Sequence, residues 1–427
     1  MGADYDMETL LEMSKKKKPY LSMGNVPERL EKSPYRWVML ALLWLLYVSF
    51  GLVFRSMAPL VTPMLKDLQM TYGEMGFVLG SWQLTYLVFA ILAGIMMDKW
   101  GVRNALFLGI SIIGLSAGLR YFVCGFTTLL LVTALFGVGG PLISTGCPKV
   151  TAQWFMGKER GLAVGIYMTA PSIGGILALT ATNSLVMPLA GYSWRLTFVY
   201  YAVFTFIIAF LWRLFARDAP NGETGEKAGV VEVFSKLIKI PNVRIILSGG
   251  LLSFAVLHGY TNWLPKILEV SGMSPSSAGF ASALPLLAGI PSILVLPSLI
   301  PVRFRGRAIG LLALLAASSM LLLSNAIGAS LFVGLILLGV SGFAMAPLLI
   351  ISLMEIPEVG PRYMGSAGGI FFCISDFGGF IGPSIMGAFA DWSGTFLPGT
   401  LFQSMLCLLI FIITFRLKPS LPPGMQT

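Results

Sequence analysis

A chain of 427 residues that is 56% apolar and only 11% charged, with a mean hydropathy of +0.83, is excluded from the ordinary water-soluble globular class. Its apolar residues gather into runs of roughly 20, the length of a helix that crosses a bilayer. The runs are too long and too uniformly apolar for the alternating strands of a barrel.

The first 34 residues are polar and charged, without the pattern of a cleavable signal peptide, and the tail 1–34 is expected to be disordered. Asp6-Met-Glu-Thr-Leu10-Leu11 resembles an acidic dileucine sorting signal, though so short a pattern also arises by chance. Lys15–Lys18 can touch anionic headgroups. Twelve candidate spans follow, centred near Leu45, Phe89, Ile113, Gly137, Gly175, Ile207, Phe254, Ile290, Leu314, Leu338, Gly378 and Leu409. Six precede and six follow a polar stretch around Asp218–Lys239, so a bundle is expected over 35–217, a linker over 218–241 and a second bundle over 242–418, with a tail over 419–427. Within the linker, Val230–Ile240 suits a short amphipathic surface helix ahead of Pro241.

The net charge of +10 would suit nucleic acid, but its placement argues against that. Of 29 Lys and Arg, six (Arg55, Lys66, Arg120, Lys149, Arg195 and Lys266) fall in spans or in loops on one side, and the other 23 fall in the tails and in loops on the opposite side. This is the positive-inside pattern, and it puts both termini in the cytoplasm. The expected partners are the lipid bilayer and a small-molecule substrate, not nucleic acid. Cys124, Cys147, Cys373 and Cys407 lie in or beside apolar spans with no close pair and no metal-like spacing, and read as small packing residues. No metal or cofactor is expected, and a monomer is.

The chain repeats itself. Gly161-Leu-Ala-Val-Gly-Ile-Tyr-Met-Thr-Ala-Pro-Ser-Ile-Gly-Gly175 returns 204 residues later as Gly365-Ser-Ala-Gly-Gly-Ile-Phe-Phe-Cys-Ile-Ser-Asp-Phe-Gly-Gly379. Met70-Thr71 with Gly76-Phe77 matches Met273-Ser274 with Gly279-Phe280 at a shift of 203, and Gly137-Val138 with Gly140 matches Gly339-Val340 with Gly342 at 202. Two related membrane halves are implied, and in transporters such halves hold substrate between them near the midplane. The copies differ in charge: Ser172 matches Asp376, and Arg55 matches His258.

Gly94-Ile-Met-Met-Asp98-Lys99-Trp-Gly101-Val-Arg103, between spans two and three, resembles the loop signature of the major facilitator superfamily, with Lys99 where Arg is commoner. The resemblance covers nearly the whole chain. It implies an all-α fold of twelve transmembrane helices, in two pseudo-symmetric six-helix bundles that rock about a central cavity. It also implies that Asp98 and Arg103 form a cytoplasmic charge latch; ordinary loop charges at a helix end are the alternative. The matching loop, Pro297 to Arg307, keeps its positive charge but has lost the acid, which leaves a second latch in doubt. Ala170-Pro171-Ser-Ile-Gly174-Gly175 looks like the family's fifth-helix motif, and Gly378-Gly379-Phe-Ile-Gly382-Pro383 has a similar character. Proline bends a helix and glycine lets backbones approach, so both are read as packing and hinge elements. A finer resemblance, to the cyanate permease and nitroimidazole transporter branch, rests on Phe54-Arg55-Ser-Met-Ala-Pro59, Gly118-Leu-Arg120 and Trp263-Leu-Pro265. Ser56-Met57 departs from that branch, which often has Pro after the arginine.

Charges inside spans are expensive and suspect as function. Arg55 lies about 19 residues into span one, roughly 28 Å along a helix. It can either snorkel to outer headgroups or face inward and hold an anion with its planar fork of donors. Asp376 lies about 13 residues into span eleven, roughly 20 Å along and close to mid-membrane. It reads as a proton carrier, a charge balance or a structural carboxylate paired to a neighbouring helix. His258, the single histidine, is a cavity residue or a helix-to-helix hydrogen bond. Tyr260, Asn262 and Trp263 can shape an outer gate, with an interfacial belt the alternative for Trp263. Lys149, five residues before Trp154, is expected to snorkel. Arg120, at an outer helix end, is ambiguous. Tyr47 and Gln83 are candidate cavity polars, with packing the default.

No motif supports an enzyme, and without a phosphate-binding Gly-Lys-Ser/Thr loop transport would not be ATP-driven. The expectation is a secondary transporter of a small anion or weak acid, with H+ as candidate coupling ion. Two alternatives remain: a proton-coupled exporter of cationic or amphipathic compounds, with Asp376 as counter-ion, and a non-transporting membrane sensor.

Overall fold

The computed structural model describes residues 34–218, 235–324 and 328–417. The tails, most of the linker, and the larger part of the surface helix expected at 230–240 fall outside the described residues; within that helix, only 235–237 are described as helical. Among the described residues there is no strand. Twelve helices reach 18 residues or more: α1 (Tyr35–Arg55), α2 (Tyr72–Trp100), α3 (Val102–Leu119), α4 (Phe126–Trp154), α5 (Gly157–Ala181), α6 (Trp194–Phe215), α7 (Pro241–Val270), α8 (Pro275–Leu299), α9 (Arg305–Leu323), α10 (Ala329–Met354), α11 (Gly360–Ser393) and α12 (Leu397–Thr414). The twelve expected span centres fall in these helices in order. Among the described residues, eleven candidate spans are long and apolar enough to cross a membrane, and α2 is not among them. Large apolar side chains such as Phe210 and Leu214 on α6, and Leu401 and Ile412 on α12, are exposed. Such a coat is a liability in water and a solvent match in hydrocarbon.

The first span is broken. Pro59 has no N–H to give to the Arg55 carbonyl, so α1 stops there. The chain continues through a tight turn (Ala58–Leu60) and a short helix (Val61–Leu68), and Tyr35–Leu68 makes one candidate span of 34 residues. Arg55 therefore lies at a break within the first span, which runs on beyond it to Leu68.

The halves repeat their contacts. α1 packs on α5 as α7 packs on α11, and α2 packs on α4 as α8 packs on α10. The repeated glycines are where backbones touch. A Cβ on Gly174 would stand 2.1 Å from the Val48 carbonyl oxygen, and on Gly378 it would stand 1.9 Å from that of Leu251. A Cβ on Gly137 would stand 2.0 Å from the Trp82 carbonyl oxygen, and on Gly339 2.3 Å from that of Pro285. The halves join through α2 on α11 and α5 on α8. There a Cβ on Gly76 would stand 2.3 Å from the Pro383 carbonyl oxygen, and on Gly279 2.2 Å from that of Leu179.

Described hydrogen bonds between the halves cluster at one end, the end of Arg55. Thr62 donates to Glu269 and accepts from Lys266. Asn183 donates to the Pro275 carbonyl. The Asp391 carboxylate of α11 accepts from the Tyr72 and Gly73 amides at 2.8 and 2.7 Å, capping α2 from across the interface. At the other end the described charged contacts stay within a half: Arg36 with Glu159, Arg103 on the Arg213 carbonyl, and Arg305 with Glu355. The last pair gives the second loop an acid that the sequence motif lacks. The molecule is closed at the Arg55 end.

Candidate functional site

Arg55 does not snorkel. Its side chain turns inward, is 5% exposed, and crosses to α7, where Nη1 donates to Thr261 Oγ1 at 3.0 Å and Asn262 Oδ1 at 2.9 Å. Its guanidinium carbon stands 4.7 Å from the Phe54 ring centre, and its stem fills the space a side chain on Gly175 would need. Both acceptors are neutral, so a buried positive charge is held here without a carboxylate, which is costly unless something else supplies the anion.

Arg120 closes the same region from α3. It opens a short turn (Arg120–Phe122) and is 1% exposed, so the helix-end position suggested by sequence is a buried one. Its guanidinium carbon lies 4.6 Å from the Phe198 ring centre, while Nε and Nη1 find no partner. It lines a small cavity with Phe54, Trp82, Phe136, Thr133 and Asn262. Two more donors of that lining are buried and unused: Trp82 Nε1 and Asn262 Nδ2. Buried polar atoms are nearly always bonded. A cluster of unused donors without an acid among its lining residues is a place waiting for an acceptor.

His258 sits beside this cavity, enclosed by the rings of Phe54, Trp82 and Phe254 at 5.9, 6.3 and 5.5 Å, with Nδ1 buried and unbonded. The structure thus brings Arg55, Arg120, His258 and Asn262 together. Trp82, Phe54 and Phe136 complete the walls; Phe54 opens the motif around Arg55, and sequence offered no signal for Trp82 and Phe136 beyond an aromatic residue in an apolar run.

The other expected residues lie elsewhere. Gln83 is buried with both amide atoms unbonded, packed where a Gly379 side chain would be. Trp263 is fully buried and spends its indole N–H on the Pro383 carbonyl, beside Tyr72 and Phe396, so it is a packing anchor between α7 and α11 rather than an interfacial belt residue. Tyr260 is buried with its hydroxyl unbonded. Tyr47 is half-buried against Phe50 and Tyr167. Asp376 is 6% exposed, within electrostatic range of Tyr86 and Cys373, and Tyr86 shares a 2.6 Å hydrogen bond with Ser144. Pro171 packs on Gly51, which explains the first hinge motif as a close α1–α5 contact. In the loop signature, Gly101 adopts φ +79, a conformation that favours glycine. The side chain of Asp98 is outside the described residues, so the pairing expected with Arg103 is not described; Gly94 and Lys99 lie in the last turns of α2. Lys149 is half-buried and has a partner. Cys124 is exposed in the turn before α4, so it is not a packing residue.

The sequence profile of the Major Facilitator Superfamily matches residues 43–383. The chain belongs to the Major Facilitator Superfamily. It is similar to a hexuronate transporter of Bacillus subtilis (strain 168), 24% identical over 365 residues that cover 80% of this chain and 85% of that one. A putative tartrate transporter of Agrobacterium vitis is 25% identical over 392 residues, covering 85% of each. A probable sulfoacetate transporter of Cupriavidus necator is 26% identical over 364 residues, 79% of this chain and 83% of that one. Among solved structures, a bacterial homolog of the human lysosomal transporter Spinster, inward-facing and unoccupied, superimposes with a TM-score of 0.72 at 16% identity, over 90% of this chain and 96% of that one. The nucleoside transporter NupG gives 0.74 at 17% identity, over 90% and 99%. At such identities these two likenesses speak for the fold alone.

Proposed function

We propose that this superfamily member is a secondary transporter that carries a small organic anion across a membrane by alternating access. The carrying observation is the pair of buried guanidiniums, Arg55 and Arg120, that have no ion pair among the described residues: Arg120 lines one small cavity together with unused donors, and Arg55 is bonded to Asn262 of the same lining. An anion entering there removes two unpaired charges and satisfies those donors at once. Relatives named for hexuronate, tartrate and sulfoacetate, all organic anions, support the reading. The export of cations is not favoured, because the buried charges around the cavity are positive.

In this reading α2 is the twelfth span, the halves over 35–217 and 242–418 are the rocking bundles, and the positive-inside pattern sets both termini in the cytoplasm of a plasma or prokaryotic inner membrane. The closed Arg55 end then faces outward, and the state is inward-facing. Asp376 carries the coupling proton, Asp98 and Arg103 latch the opposite state, and the chain works as a monomer. Arg55 and Arg120, with Trp263-Leu-Pro265, support a place near the cyanate permease and nitroimidazole transporter branch.

The test is uptake of labelled organic acids into proteoliposomes. Arg55→Ala abolishes uptake while the protein stays folded and monodisperse; unchanged uptake by that variant would overturn the anion site.

A further inference from the structure

The walls of the cavity say what kind of anion it takes. We propose that the cargo is a carboxylate with a flat, unhydroxylated body, an aromatic monocarboxylate, seated with its ring against Phe54 and Trp82 and its charge toward Arg55 and Arg120. The proposal rests on the anion-transport reading and narrows it. It also departs from the polyhydroxy acids for which the hexuronate and tartrate relatives are named.

The first ground is a continuous aromatic series along the seam between the halves. Tyr47 meets Phe50 at 5.4 Å, Phe50 meets Phe136 at 5.1 Å, and Phe136 meets Trp82 at 5.6 Å. Phe54 closes on Trp82 at 4.9 Å, and both rings then pass to His258 on the opposite half. From His258 the series continues to Phe254 and on to Phe372, which is 45% exposed. An aromatic stripe inside one bundle would be ordinary core. This one crosses from one bundle to the other, where rocking halves part and cargo must pass. Such faces accept flat rings in offset or edge-on geometry.

The second ground is the shortage of partners for hydroxyl groups. A sugar acid brings several hydroxyls, each of which needs a partner once buried. The hydroxyls near the cavity are occupied: Thr133 points to the Met57 sulfur at 3.7 Å, and Thr261 donates to the Leu257 carbonyl. The Asn262 oxygen is taken by Arg55. What remains free in the lining is the donor set of Arg120, Trp82 and Asn262, which suits one carboxylate and nothing more. The unbonded Gln83 oxygen and the Asp376 carboxylate do not line that cavity. The cavity is small in this closed state, and parting of the halves along the seam supplies the room for a ring.

Purified full-length protein is titrated by thermal shift with benzoate, cyclohexanecarboxylate, glucuronate and tartrate at matched ionic strength, in wild type, Arg55→Ala, Phe54→Leu and Trp82→Leu. Benzoate is expected to act at a concentration about ten-fold or more below glucuronate and tartrate, with cyclohexanecarboxylate between. Arg55→Ala removes every shift. Phe54→Leu removes the advantage of benzoate over cyclohexanecarboxylate, and Trp82→Leu, which takes away the facing ring, removes the same advantage should Phe54→Leu fail to fold. A glucuronate or tartrate shift at lower concentration than benzoate, still lost in Arg55→Ala, overturns the aromatic class and leaves the anion reading standing. The absence of any Arg55-dependent shift removes the anion reading and this inference with it.

Discussion

Gly137 on the Trp82 carbonyl and Gly339 on the Pro285 carbonyl are one contact made twice, whereas Arg55 and His258 occupy matching places and share no chemistry. The first half sends a guanidinium across the seam to Thr261 and Asn262. The second half answers with an imidazole boxed in by rings. Likewise Ser172 of α5 matches Asp376 of α11, so the deep carboxylate belongs to one half alone. The lesson is a division of labour. Interfaces that must slide and reseal on both sides need the same close backbone approach in each half. In the reading proposed above, the cargo site lies between the halves and needs a charge pattern only once.

The strongest way to break the comparison is to fill a matched glycine pair. Gly174→Val and Gly378→Val each drive a side chain into a backbone carbonyl at 2.1 and 1.9 Å. Each is expected to cost about 3 kcal/mol or more, read as loss of monodisperse protein or a lowered unfolding temperature. Equal damage from both confirms the symmetry; a tolerated change in one half ends it. Gly165→Ala, where a Cβ meets nothing within 4 Å, is the control and should gain about 0.5–1 kcal/mol from helix propensity.

The charge difference is sharpened by Asp376→Asn. Uptake in the variant should lose its response to an imposed proton gradient, while counterflow exchange of anion persists. A retained gradient response would take the coupling role away from Asp376. A smaller effect is expected from Asp391→Asn, which weakens a carboxylate at a helix N-terminus by about 0.5–1 kcal/mol. The Arg55 end should then open roughly two- to five-fold more often, read as a broader distance distribution between spin labels at Lys66 and Val270. An unchanged distribution would show that Thr62, Lys266 and Glu269 hold that end without help.

Much of this was legible beforehand, for reasons that differ by element. The long helices were readable because a helix that crosses hydrocarbon must satisfy its own backbone, which forces long apolar runs. Among the described residues, eleven of them are long and apolar enough to do so. The halves were readable because carbonyl-to-glycine contacts admit no other residue, so Gly76 and Gly279 mark the same contact at a constant spacing. Arg55, His258 and Asn262 stood out as polar letters in apolar runs. Trp82 and Phe136 could not stand out, because an aromatic ring lining a cavity and one filling a core spell the same way. Arg120 stayed ambiguous in sequence because a helix end is usually wet, and here Phe198 and α6 cover it. For Trp263 the choice between gate and belt was not legible, because its indole reaches the Pro383 carbonyl, a partner more than a hundred residues away that no local pattern announces.

The carboxylate that caps α2 belongs to α11, so the first turn of α2 is finished by the opposite half of the molecule. Every excursion that parts the halves at that end must hand the Tyr72 and Gly73 amides to water. Their hydrogens therefore keep time for the transport cycle: deuterium uptake at those two positions counts openings, slowing when cargo holds the end shut and quickening with turnover, with no label added to the protein.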